Sequence, residues 1–113
     1  MLIETFHQLL APAGQEALQA AQTVQPREED FLKHLQVLSR RFDVNLAKAA
    51  LEVAIARGKA TAKFPFSEKL FFTREALEQA SSWEIAVHRA QRYRPFEHLA
   101  DLGCSAGSDS LAL

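Results

Sequence analysis

The residues best suited to chemistry lie together near the end of the chain, in Asp101-Leu102-Gly103-Cys104-Ser105-Ala106-Gly107. Small residues at a sharp turn let backbone N–H groups approach a ligand closely. An acid at the entrance to such a turn can orient it or accept hydrogen bonds from a ligand. The apolar run before it, residues 98–102, reads as a strand, and Ser108 onward reads as the start of a helix. A strand, a glycine-bearing turn and a helix N-terminus are the order in which doubly wound α/β folds hold nucleotide-type cofactors. The Gly-x-x-x-Gly spacing of Gly103 and Gly107 alone fits a structural turn equally well.

The other reactive side chains are scattered. His7, His34, His88 and His98 have no metal-ligand spacing, so no metal site is expected. Cys104 is the single cysteine, which excludes an internal disulfide and suits a reducing cytoplasm. With no base beside it in sequence, it reads as a small buried residue of the turn. Trp83 reads as a packing anchor. Arg89, Arg92 and Arg94 read as a solvated helix end, with RNA phosphates as the functional alternative.

The elements that must position the turn are helical. Leu2, Ile3, Phe6, Leu9 and Leu10 form one apolar face, which Pro12 and Gly14 interrupt. Residues 15–22 are strong helix formers. Pro26 with Glu28, Glu29 and Asp30 signals the start of a helix running to about Arg41. Phe31, Leu35, Leu38 and Phe42 are its buried stripe. Asp43 is placed to cap the next helix, whose apolar face is Val44, Ala47, Ala50, Leu51, Ala54 and Ile55, with Gly58 as its stop. Thr73 caps a short helix to Ala80. The Ser81–Glu84 pair reads as a capping box opening another, which Pro95 closes.

Composition bounds the function. The 113 residues carry a net charge of −1, with 48% hydrophobic and 24% charged residues. That is one modest globular chain. The charge is unevenly spread: residues 1–30 carry five acids against Arg27, and residues 31–63 carry seven bases against Asp43 and Glu52. A basic middle could face phosphates, though a solvated helix surface accounts for it as well. No apolar run approaches the roughly 20 residues of a membrane span, and no signal peptide is apparent.

The turn resembles the first motif of class I S-adenosylmethionine-dependent methyltransferases, acid-x-Gly-x-Gly-x-Gly. Residues 51–93 resemble the region before that motif in bacterial methyltransferases that carry a THUMP-like domain and are related to trimethylguanosine synthase. The most specific part is Phe71-Phe72-Thr73-Arg74-Glu75-Ala76-Leu77-Glu78-Gln79-Ala80, followed by Val87-His88-Arg89-Ala90. The resemblance covers about half of the chain. Two departures stand out: Ser105 occupies the place of the middle glycine, and Ser108 that of another glycine frequent in relatives. At a left-handed position a serine costs about 1 kcal/mol. Asp109 matches an Asn or Asp that opens the following helix.

The resemblance implies a mainly α chain: a helical N-terminal domain over residues 1–95, then the first strand and glycine loop of a truncated Rossmann-like methyltransferase domain over 96–113. It implies that S-adenosylmethionine is held by Asp101, Gly103, Ser105 and Gly107, with Phe71, Phe72 and Thr73 packing over the same pocket, whereas by residue type alone Phe71 and Phe72 read as ordinary core. The implied function is methyl transfer to RNA in the cytoplasm, with these residues as the inactive N-terminal part of the enzyme and no catalytic residue among them. The alternative is a helical RNA- or protein-binding module without catalysis. A helical domain serving only to cover an α/β sheet would expose an apolar face and self-associate.

Overall fold

The computed structural model describes residues 2–104 and 107–113. Among these the protein is mainly α, with seven α-helices, three short 3₁₀ turns and no strand. The chain forms two compact units, the first ending at Gly58 and the second running from Lys59 to Leu113.

In the first unit, α1 (Ile3–Leu10) is followed at once by α2 (Pro12–Thr23). Pro12 does not end a helix but begins one: it sits at the first position of α2, where its missing N–H is no loss. Gly14 lies inside α2 because α1 crosses there. A Cβ on Gly14 would stand 2.1 Å from the Gln8 carbonyl oxygen and 2.4 Å from Leu9 Cα. The Gln15 side-chain amide donates to the Leu9 carbonyl at 3.0 Å, closing the same corner. Leu9, Ala17, Leu18 and Ala21 are buried between the two helices' apolar faces.

Helix α3 (Phe31–Leu38) ends three residues before the expected Arg41. Its stripe is buried at Leu38 and half-buried at Phe31, Leu35 and Phe42. Asp43 then caps α4 (Val44–Ala60), its carboxylate accepting from Asn45 N at 3.1 Å. The expected single apolar face of α4 is too narrow. Leu46, Ala49, Val53 and Ala56 are buried along with Ala47, Ala50, Leu51 and Ala54, whereas Val44 is exposed. The small side chains let neighbours approach from several directions. Gly58 does not stop α4, which continues to Ala60. Arg57 is buried, and its guanidinium donates to the Gln22 side-chain oxygen at 3.1 Å.

The second unit holds α5 (Arg74–Gln79), α6 (Trp83–Ala90) and α7 (Ser108–Ala112). The Thr73 hydroxyl caps α5, accepting from Ala76 N at 3.2 Å. The cap of α6 is Ser82, one residue after the expected Ser81, with Ile85 N donating to its hydroxyl at 3.4 Å. Lys63 joins the end of α5 to the start of α6. Its Nζ donates to the carbonyls of Leu77, Glu78 and Ala80 at 2.7, 3.1 and 2.9 Å, and its own carbonyl accepts from Trp83 N at 2.7 Å. The expected strand at 98–102 is not formed: the segment is irregular and exposed. A strand exists only through ladder bonds to a neighbour, and the described residues supply no partner strand.

Candidate functional site

The geometry around the glycine turn is built from α6, α7 and the segment between them. Helix α6 buries Ala86 completely and packs against α7. The turn between Asp101 and α7 depends on two left-handed residues. Gly103 and Gly107 both have φ of +79°, a conformation costly for any side chain with a Cβ. Among the described residues, and leaving aside the immediate chain neighbours, no atom lies within 4 Å of where a Cβ would stand on either residue. These glycines are therefore required by backbone conformation, not by crowding, and the space beside them is open. Gly107 N donates to the Cys104 carbonyl at 2.8 Å, and Leu111 N donates to the Gly107 carbonyl at 2.8 Å.

Two side-chain ties flank the turn. The Ser110 hydroxyl donates to Asp101 Oδ2 at 2.5 Å, joining the residue before the turn to the helix after it. Arg89 Nη1 donates to the Ser81 hydroxyl at 2.7 Å and lies 3.4 Å from Asp109 Oδ2. The other carboxylate oxygen of Asp109, Oδ1, is buried without a hydrogen-bond partner. Between α6 and the turn is an open cleft of about 370 Å³, lined by Arg89, Arg92, Tyr93, Asp101, Leu102 and Asp109 among others. This is within the size range of small-molecule sites, which begins at about 300 Å³. A smaller groove of about 200 Å³ beside it is lined by Val87, Tyr93, Phe96, Leu99 and Leu113.

A family model for a domain of unknown function, DUF8688, matches residues 3–60. The chain belongs to the DUF8688 family. No curated protein and no solved structure matches the chain significantly. The DUF8688 match spans α1 to α4, ending where α4 ends. The glycine turn and its cleft thus lie in the part of this DUF8688 protein outside the family match.

Of the expected cofactor residues, Asp101 lines the cleft, whereas Gly103 and Gly107 shape the turn after it and are not among the lining residues. Ser105 lies outside the described residues. Phe72 and Thr73 are not among the residues lining the cleft. Phe72 is half-buried and stacks on Phe64, with ring centroids 5.5 Å apart, and the Thr73 hydroxyl is taken up by the α5 cap. The cluster continues through Phe66 to Trp83, whose ring meets Phe66 edge-on at 4.9 Å, so Trp83 is a packing residue. Cys104 is exposed, contrary to the buried position expected for it. No group of His, Cys, Asp and Glu among the described residues could hold a metal ion. No helix among them is long and apolar enough to cross a membrane.

Sequence reasoning did not single out Ser110, nor pair Arg89 with Asp109. The partners stand 9 and 20 residues apart, and no local pattern joins residues so separated.

Proposed function

We propose that residues 96–113 contribute the cofactor loop of an S-adenosylmethionine-dependent methyltransferase acting on RNA, and that the helices before it form its N-terminal domain. The observation carrying this reading is the pair of left-handed glycines between Asp101 and the start of α7, with open space beside both. Backbone at such a turn can approach a ligand closely, and the cofactor's ribose and amino-acid groups offer donors and acceptors to it. Asp101 commits one carboxylate oxygen to Ser110, leaving the other for a ligand donor. The residues present would fit such a cofactor: Gly103 and Gly107 would allow its close approach, and Asp101 would accept a hydrogen bond from it. The bound cofactor would supply an electrophilic methyl group, and the protein's contribution is to position the two reactants. For an RNA acceptor, the supporting features are the Arg92 and Tyr93 side chains at the cleft; in the basic stretch 31–63, Arg57 is buried on Gln22 and Lys63 is taken up by three carbonyls.

The test is titration of ¹⁵N-labelled protein with S-adenosylhomocysteine, the stable product analogue. Saturable shifts confined to Asp101, Gly103, Gly107 and neighbouring amides support the reading. No shift at millimolar ligand, or shifts spread evenly over α1 to α4, overturns it.

A further inference from the structure

The Arg89 guanidinium stands between the α5–α6 turn and the first residues of α7. One nitrogen, Nη1, serves both sides, donating to Ser81 at 2.7 Å and facing Asp109 at 3.4 Å. Ser81 does not cap α6, because Ser82 does. The Ser81 hydroxyl is thereby available to hold Arg89.

Asp109 is the second residue of α7. Five residues are too few for a helix to hold itself together, so α7 depends on its tertiary ties. Its N-cap, Gly107, provides no side-chain cap. Arg89 tethers the first turn of α7 from α6 through the Asp109 carboxylate; being a donor only, it does not satisfy the open N–H groups of that turn. The Ser110–Asp101 bond then passes the position of α7 back to the entrance of the turn. The two ties together fix where the turn begins and where it ends.

We infer that Arg89, whose side chain also lines the cleft, is the positioning residue of the glycine turn and acts on it through Asp109. This rests on the reading of the turn as a cofactor loop, but its first consequence is independent of any ligand. In Arg89→Ala, the ¹³Cα shifts of Ser108–Leu111 move toward coil values. An exposed ion pair of this kind changes a local equilibrium by about two- to fivefold. Asp109→Asn produces the same change, and the double variant adds nothing further. Arg89→Lys, which keeps a cation with several donors, restores most of the helical shift. The urea midpoint read by Trp83 fluorescence stays at the wild-type value, which separates positioning from general stability.

The second arm measures S-adenosylhomocysteine affinity, expected to fall by a similar two- to fivefold in Arg89→Ala. Unchanged ¹³Cα shifts in Arg89→Ala overturn the positioning role whatever the ligand does. Additive effects of Arg89→Ala and Asp109→Asn overturn it as well, because the two would then act separately. Shifts that change as expected, in a protein that binds no S-adenosylhomocysteine, leave the positioning role standing and remove the cofactor reading instead.

Discussion

Lys63→Met should loosen the second unit without disturbing the first. The Lys63 ammonium serves three carbonyls at the end of α5, those of Leu77, Glu78 and Ala80, at 2.7–3.1 Å. Helix α5 has six residues, so it depends on such external partners for the carbonyls its own ladder leaves open. Methionine keeps the apolar stem and removes only the charged donor. A hydrogen bond to a charged group contributes about 1.5–3 kcal/mol. The three cannot be summed, because Lys63 is only half-buried and the released carbonyls regain water. A net loss of about 2 kcal/mol follows, which at a urea slope of ~1–2 kcal/mol/M lowers the midpoint by ~1–2 M. Trp83 is the only tryptophan, its amide donates to the Lys63 carbonyl, and its ring packs on Phe66. Its fluorescence therefore reports the unit concerned. Lys48→Met, on an exposed position of α4, is the control and should change stability by less than about 0.5 kcal/mol. A Lys63→Met midpoint within ~0.2 M of the wild type would refute the argument that the clasp holds α5.

Gly14→Ala forces a Cβ against the backbone of Gln8 and Leu9, and neither can move as a side chain would. A loss of about 1–3 kcal/mol is expected by thermal unfolding followed by circular dichroism, against the gain that alanine brings to an unhindered helix. Gln25 has φ of +47° just past the end of α2, so Gln25→Gly should raise stability by up to about 1 kcal/mol in the same measurement; a loss would mean that its side chain supports the turn. Ser105→Gly restores the residue of the resembled motif and should tighten S-adenosylhomocysteine binding by about fivefold, the equivalent of ~1 kcal/mol, as read by calorimetric titration.

The parts of the fold open to sequence reasoning were those set by neighbours in the chain. Asp43 and Thr73 cap their helices as their residue types require, because a cap is a bond across two or three residues. Gly103 and Gly107 occupy left-handed backbone, which only glycine adopts without penalty. The candidate turn was legible for that reason, and so was the mainly helical character of the chain.

What the tertiary structure decided lies at longer range. Pro12 and Gly14 read as a break, yet they serve a helix crossing, since the contact that demands a glycine comes from α1. The alanines of α4 show one face in sequence and are buried on several, because packing partners decide which small residues are covered. Residues 98–102 have a strand's composition but no partner to pair with among the described residues. Lys63 reaches carbonyls 14 to 17 positions away, and Arg89 reaches Asp109 across 20. Sequence alone determined where backbone conformation was constrained, because those constraints are local and steric. Only the folded chain decided which side chains hold the turn in place, because those contacts join residues that no periodicity relates.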